Sequence, residues 1–224
     1  MDNKPTVEML TPSVKSPKAL FIFAHGAGAD MHHEFMETMT QLLANNHISV
    51  LRFNFPFMVK RAEDGRRYPP DRMPKLSAAY LSIVDKVSRE LPIFIGGKSM
   101  GGRVAATISE NALPDVKGVI CLGYPFHPQK KPEKLRLEPL QQTKLPILVV
   151  QGERDALGNE EEISDYAFSD LCDVKFLPDG DHNLKPRIKS GFTHQQHINT
   201  TVQWMITFID ENLDKNLDEP VTSK

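Results

Sequence analysis

The chemistry this chain can offer is concentrated in Gly97-Lys98-Ser99-Met100-Gly101. A serine hydroxyl is a poor nucleophile unless a base lies within hydrogen-bond reach and an acid orients that base. The preceding residues, Pro92-Ile93-Phe94-Ile95, form an apolar run of the length of a buried strand. Those that follow, Arg103-Val104-Ala105-Ala106-Thr107-Ile108, carry an Ala-rich apolar face suited to a helix on a sheet. Strand, Gly-x-Ser-x-Gly turn and helix together predict a nucleophile elbow, whose strained backbone lifts the hydroxyl above the sheet edge. Glycines flank the serine because a Cβ there would collide with a neighbouring strand or helix. The competing reading is a Gly-rich turn with serine as a helix cap.

An elbow serine takes its acid and then its histidine from further along the chain. Asp155 follows the apolar run Pro146-Ile147-Leu148-Val149-Val150 and is the expected acid, with Glu153 as the substitute. His182 follows the last strand-like run and is the expected base; His194 and His197 are rivals that precede or begin the final helix. Asp155 would hold the imidazole tautomer and stabilise its charge after proton transfer. Asp179 and Asp181 are expected to shape a turn. The oxyanion needs two fixed N–H donors. Position points to the Met100 amide and, in His25-Gly26-Ala27-Gly28, to the Ala27 amide, with Gly26 as the alternative and His25 as a brace. No metal or cofactor is expected. Adjacent histidines in His32-His33-Glu34 cannot face one way on a helix, and no His-Glu-x-x-His spacing occurs.

Placing these residues around one mouth needs a particular scaffold. Ala19 to Ala24 reads as a strand buried on both faces, and Ile48 to Phe53 as the next. Between them Phe35, Met36, Met39, Leu42 and Leu43 recur at helical spacing, closed by Asn45-Asn46. Val116–Gly123, Pro146–Gly152 and Asp173–Leu177 are further strands, and Ile198, Val202, Met205, Ile206, Ile209 and Leu213 mark a last helix. Residues 54–75 read as a long polar loop, followed by a helix over Ser77–Glu90. Its Arg66, Arg67 and Arg72 could receive an anionic substrate group, the plainer reading being a solvated surface. Lys98 adds charge inside the elbow, or forms a salt bridge. Tyr124, Phe126 and His127 either line the substrate pocket or pack under their loop. Alternating strands and helices predict an α/β fold, a mainly parallel sheet with helices on both faces and functional loops beyond the strands' carboxyl ends. The expected divisions are a lead-in over 1–18 with an edge strand, one domain over 19–213, and an acidic tail over 214–224.

Bulk properties narrow the function classes. The chain has 224 residues, 40% hydrophobic and 25% charged, as in an ordinary soluble domain. A net charge of −2 gives no general reason to expect nucleic acid or a membrane surface as partner. No apolar run approaches the roughly 18 residues of a membrane span. The first residues have neither the basic start nor the apolar core of a secretory signal, and two cysteines make no disulfide framework, so a reducing cytoplasm is the default.

The elbow and its partners resemble the α/β-hydrolase superfamily over about Ala19 to Leu213. More narrowly, His25-Gly26-Ala27-Gly28, Gly96 to Arg103, Tyr68-Pro69-Pro70-Asp71-Arg72 and Asp181 to Arg187 look like a small predicted-hydrolase group. That group is similar to dienelactone hydrolases and includes testis-expressed protein thirty and a hydrolase-like domain in a chromatin acetyltransferase complex subunit. The resemblance implies Ser99, Asp155 and His182 as a triad, but supplies no substrate. Serine stands here where dienelactone hydrolases have cysteine. Only residues 124–145 are available for a lid, too few for a helical one. The expected function is a serine hydrolase acting on a small-molecule carboxylic ester or thioester. A peptidase or amidase using the same triad, and an interaction module without turnover, are the alternatives; protein partners are left open.

Overall fold

A computed structural model of the chain describes residues 7–11, 16–87, 89–111 and 113–214. Seven strands form one sheet in the spatial order β1-β3-β2-β4-β5-β6-β7. They are β1 (Val7–Leu10), β2 (Ala19–Ala24), β3 (Ile48–Phe53), β4 (Ile93–Lys98), β5 (Val116–Leu122), β6 (Ile147–Gly152) and β7 (Cys172–Leu177). Only β1, at one edge, runs antiparallel to its neighbour; every other pairing is parallel.

Every residue of β2, β3, β4 and β6 is buried, which is why these strands are mostly apolar and do not alternate, with Ser49, Arg52, Lys98 and Gln151 as buried polar exceptions. Alternation survives only in which face each side chain joins. Leu20, Ile22 and Ala24 of β2 belong to one core, Ala19, Phe21 and Phe23 to the other. On the second face lie α1 (Glu34–Asn45) and α7 (His194–Asp214), through Met36, Met39, Leu43, Val202, Met205 and Ile209. Against the first face pack α2 (Pro56–Asp64), α3 (Met73–Val84), α4 (Met100–Ile108) and two four-residue helices, α5 (Glu138–Gln141) and α6 (Glu160–Ile163). Each large apolar side chain sealed in either layer contributes roughly 1.5–3 kcal/mol of burial free energy.

The segment expected as a long polar loop over 54–75 instead contains α2. Pro56 suits its first turn, Gly65 (φ 69°) closes it in the left-handed conformation, and Phe57, Met58 and Val59 are buried. The next helix begins at Met73, not Ser77, because Pro74 is compatible with a first turn, and it ends at Val84, short of Glu90. Within the lead-in, residues 7–10 do form an edge strand, whereas residues 1–6 and 12–15 lie outside the described residues, as do residues 215–224 of the expected tail. Residues 123–146, between β5 and β6, hold α5 alone, so no large lid covers the strand ends. Among the described residues no helix is long and apolar enough to cross a membrane.

Topology alone creates a crevice. From β2 the chain passes to β3 on one side, then returns to β4 on the other, so the connections leaving β2 and β4 diverge to opposite faces. Ligand crevices form at such switch points, beyond the carboxyl ends of the strands. Here that point lies between the loop starting at His25 and the turn at Ser99.

Candidate functional site

Ser99 occupies the turn between β4 and α4 at φ 51°, ψ −112°, a conformation L-residues seldom adopt. It persists because the surroundings leave no alternative. A Cβ on Gly97 would lie 2.6 Å from the Ala24 carbonyl oxygen and 2.7 Å from the Gly102 nitrogen, so strand and helix can approach only across glycines. The serine hydroxyl thus stands clear of the sheet, 2.8 Å from Nε2 of His182. On the other side of the ring, Nδ1 lies 2.8 Å from Oδ2 of Asp155. A carboxylate only accepts, so Nδ1 carries the hydrogen and Nε2 is left free to accept from the hydroxyl.

Asp155 is wholly buried and fully partnered. Its Oδ1 accepts from the Leu157 amide at 2.8 Å, and its Oδ2 also accepts from Nε2 of Gln151 at 2.9 Å. The substitute acid, Glu153, is engaged elsewhere, accepting from the Asp179 amide at 2.6 Å. His182 rides on a loop shaped by two aspartates. Asp179 (φ 54°) pairs with the Arg187 guanidinium, which holds its carboxyl down at about 2, while Asp181 accepts from the Asn183 and Lys185 amides. Of the rival histidines, His197 is buried, with Nδ1 donating to the Leu184 carbonyl. His194 has Nε2 3.2 Å from the Asn183 carbonyl.

A cleft of about 730 Å³ opens over Ser99 and His182. Gly26, Ala27 and Gly28 form one side, His33, Phe35 and Met36 of the α1 entry another, and His194, Gln195 and Ile198 of α7 a third. Of the two residues expected to supply oxyanion donors, Ala27 lines the same cleft as Ser99, and the amide of Met100, which follows Ser99 at the first position of α4, has no acceptor within its helix. His25 is a brace in the structure. Its Nδ1 donates to the Gly26 carbonyl at 2.7 Å and its Nε2 accepts from the Phe55 amide at 3.0 Å, tying the ends of β2 and β3 together. Burial pushes its pKa down to about 4, so it is neutral. The folded imidazole therefore binds a proton less readily than the unfolded one. Stability should rise with pH from 4 to 6.5 and fall as pH drops through that window, by about 3 kcal/mol in all. Denaturant titrations at several pH values should show this slope in the wild type and a flatter one in His25→Gln.

The residues that the sequence offered for receiving or lining a substrate do not border this cleft. Burial of Phe57 and Met58 holds the basic segment against the α3 and α4 face, whereas the cleft lies between the entries of α1 and α7. Arg66 and Arg67 are exposed and do not line the cleft, and Arg72 borders a separate groove of about 310 Å³ with Lys60, Tyr68 and Asp71. Tyr124 is fully buried and donates to the Arg136 carbonyl at 2.8 Å. His127 is buried between the Pro128 carbonyl and Glu162, and Phe126 contacts the Tyr166 and Phe168 rings. These three pack under their loop. His33 accepts from the Phe35 amide as the cap of α1, and His32 lies 3.6 Å from Glu8 at the surface.

Two contacts had no local signal in the sequence. Gln151 reaches Asp155 from four residues back, and Lys98 donates to the His182 carbonyl at 2.5 Å across 84 positions.

The family model described as Alpha/beta hydrolase domain matches residues 17–210. Among solved structures, Est1E from Butyrivibrio proteoclasticus, with ferulic acid bound, matches with a TM-score of 0.68 and 16% identity. The match covers 92% of this chain and 96% of that one. A dienelactone hydrolase from Anabaena variabilis gives 0.65 and 16%, covering 91% and 98%. A serine hydrolase from Xanthomonas campestris described as lacking a lid gives 0.62 and 16%, covering 96% and 90%. These likenesses are of fold, and they accord with the sheet order and the uncovered strand ends. With the family model spanning all the strands from β2 to β7 and the elbow between them, the chain belongs to the α/β-hydrolase family.

Proposed function

We propose that this protein is a serine hydrolase that cleaves a carboxylic ester or thioester through an acyl-enzyme on Ser99. The observation that carries the reading is the unbroken hydrogen-bonded run from the Ser99 hydroxyl through His182 to Asp155, 2.8 Å at each step. As the hydroxyl oxygen attacks the substrate carbonyl carbon, its proton passes to Nε2 of His182. The buried Asp155 carboxylate then faces an imidazolium and stabilises it without taking the proton. Charge developing on the carbonyl oxygen is met by the amides of Met100 and Ala27, the former at the positive end of the α4 dipole. Collapse of the tetrahedral adduct breaks the bond to the alcohol or thiol, which leaves with the proton from Nε2. A water molecule repeats the sequence on the acyl-enzyme, with the histidine again accepting a proton, and releases the carboxylic acid.

The cleft volume falls within the range of small-molecule sites, and no helical lid encloses it, which favours modest-sized or surface-presented acyl groups. Within the family, the elbow and the His182 loop support a place in the small group similar to dienelactone hydrolases and testis-expressed protein thirty. The unpaired Cys121 and Cys172 are in keeping with a reducing compartment. A fluorophosphonate probe is expected to label the wild type and not Ser99→Ala. Absence of serine-dependent labelling in folded protein would sink the proposal. A panel of esters, thioesters and amides sharing one acyl group then assigns the leaving-group class.

A further inference from the structure

Lys98 is an unusual residue to find inside an elbow. A lysine at the surface carries its ammonium into water along an apolar stem. Here the side chain turns inward and is only 9% exposed, with Nζ donating to the backbone carbonyl of His182 at 2.5 Å. The space is specific to this contact. Gly123, the first residue beyond β5 (φ 63°), is the residue beside it, and a Cβ there would lie 2.8 Å from Nζ of Lys98 and 2.9 Å from the His182 carbonyl oxygen. Three charged or titratable groups face the ammonium: Asp155 from beyond β6, and Asp181 and His182 from beyond β7. On the β2 side its stem meets Gly26, next to the neutral His25.

We propose that Lys98 is a positioning residue for the reaction: its ammonium anchors the backbone of His182 so that the imidazole stays in line between Asp155 and Ser99. This rests on the reading of Ser99 as nucleophile. The β6 and β7 loops carry the acid and the base, while β4 carries the nucleophile; Lys98, adjacent to Ser99, links the nucleophile's strand to the base. A charge-assisted hydrogen bond to a carbonyl is about twice as strong as a neutral one. Burial costs the ammonium more than Asp155 and Asp181 return, which lowers its pKa to about 8. The anchor is accordingly at full strength below that pH and weaker above it, where a neutral amine donates in its place.

The test compares the full-length wild type with Lys98→Met and Lys98→Arg, using p-nitrophenyl acetate from pH 6 to 10. Lys98→Met is expected to lower kcat about tenfold or more, with KM within about twofold, since a misplaced base costs rate more than binding. Wild-type kcat should fall through a pH near 8 to a lower plateau. Lys98→Met should lack that step, and Lys98→Arg, with a cation that does not titrate, should keep its rate at high pH. A Lys98→Met enzyme with wild-type kcat and a wild-type pH profile overturns the proposal. Hydrogen exchange of peptides spanning residues 177–187 decides it without turnover. Exchange there should be about tenfold faster in Lys98→Met at pH 7, and in the wild type should rise above pH 8 by more than the chemical rate. Unchanged exchange in both comparisons overturns the anchor even if a variant folds poorly. Failure of the hydrolase reading looks different: no Ser99-dependent turnover in the wild type at any pH.

Discussion

Asp155→Asn is expected to cut kcat by about four orders of magnitude while lowering the thermal midpoint by only several degrees. The reason is the donor set around the carboxylate. Oδ1 accepts from the fixed Leu157 amide, so the asparagine must present its oxygen there and its NH2 group where Oδ2 had been. At that position the wild-type oxygen accepts from Gln151 and from Nδ1 of His182. Gln151 cannot adapt by turning its amide, because its Nε2 also donates to the Tyr124 and Gly158 carbonyls, so a buried donor faces a donor there at a cost of about 1–3 kcal/mol. The imidazole can adapt only by moving its hydrogen to Nε2, so that Nδ1 accepts from the asparagine. Nε2 then points a hydrogen at Ser99 and cannot take one from it. Shape and burial are preserved, so the fold survives the donor–donor contact and the loss of rate is one of tautomer. Steady-state rates on an activated ester, read beside a melting curve, check this; a variant within about tenfold of wild type would remove Asp155 from the mechanism.

Gly97→Ala should destabilise the protein by about 3 kcal/mol or more, the upper end of what overpacking costs. The new methyl would sit 2.5 Å from the Gly101 carbonyl carbon, 2.6 Å from the Ala24 oxygen and 2.7 Å from the Gly102 nitrogen. All three are backbone atoms, so no side chain can rotate away to make room. The helix would have to lift from the sheet, and the Ser99 turn with it, so fluorophosphonate labelling should fall alongside stability. Gly28→Ala is the control, since a Cβ there meets open space, and its urea midpoint should stay within about 0.5 kcal/mol of wild type. Equal midpoints for the two variants would show that the close approach at Gly97 does not constrain the elbow.

Legibility in the sequence followed the distance over which each feature is decided. Ala19–Ala24 could be bounded to the residue because a strand covered on both faces takes apolar side chains throughout. Ile48–Phe53 could be bounded because its apolar residues lie between polar residues on either side, Ser49 and Arg52 being its buried polar exceptions. The elbow was readable because it packs strand, turn and helix into the one short stretch Ile93 to Ile108 with fixed glycine positions. Helix α2 was harder. Its second half is charged, and only Pro56, Gly65 and the buried trio Phe57, Met58 and Val59 betray it. The role of its loop stayed between two readings for a related reason. Six basic side chains near a strand end look like an anion site, but which face their segment packs against depends on Phe57 and Met58 finding the α3 layer.

What this chain's order of residues determined unaided was the menu: an α/β layering, a strained serine, and one acid and one histidine placed after later strands. Those follow from local sterics and from burial on both faces of a sheet, which act over a few neighbouring positions. Only the folded chain decided which candidates meet. Asp155, not Glu153, turns inward because Gln151 and the Leu157 amide await it, and Lys98 reaches the carbonyl of His182 because Gly123 leaves the gap. Contacts between residues dozens of positions apart are set by strand order and register, and no local pattern of side chains encodes them.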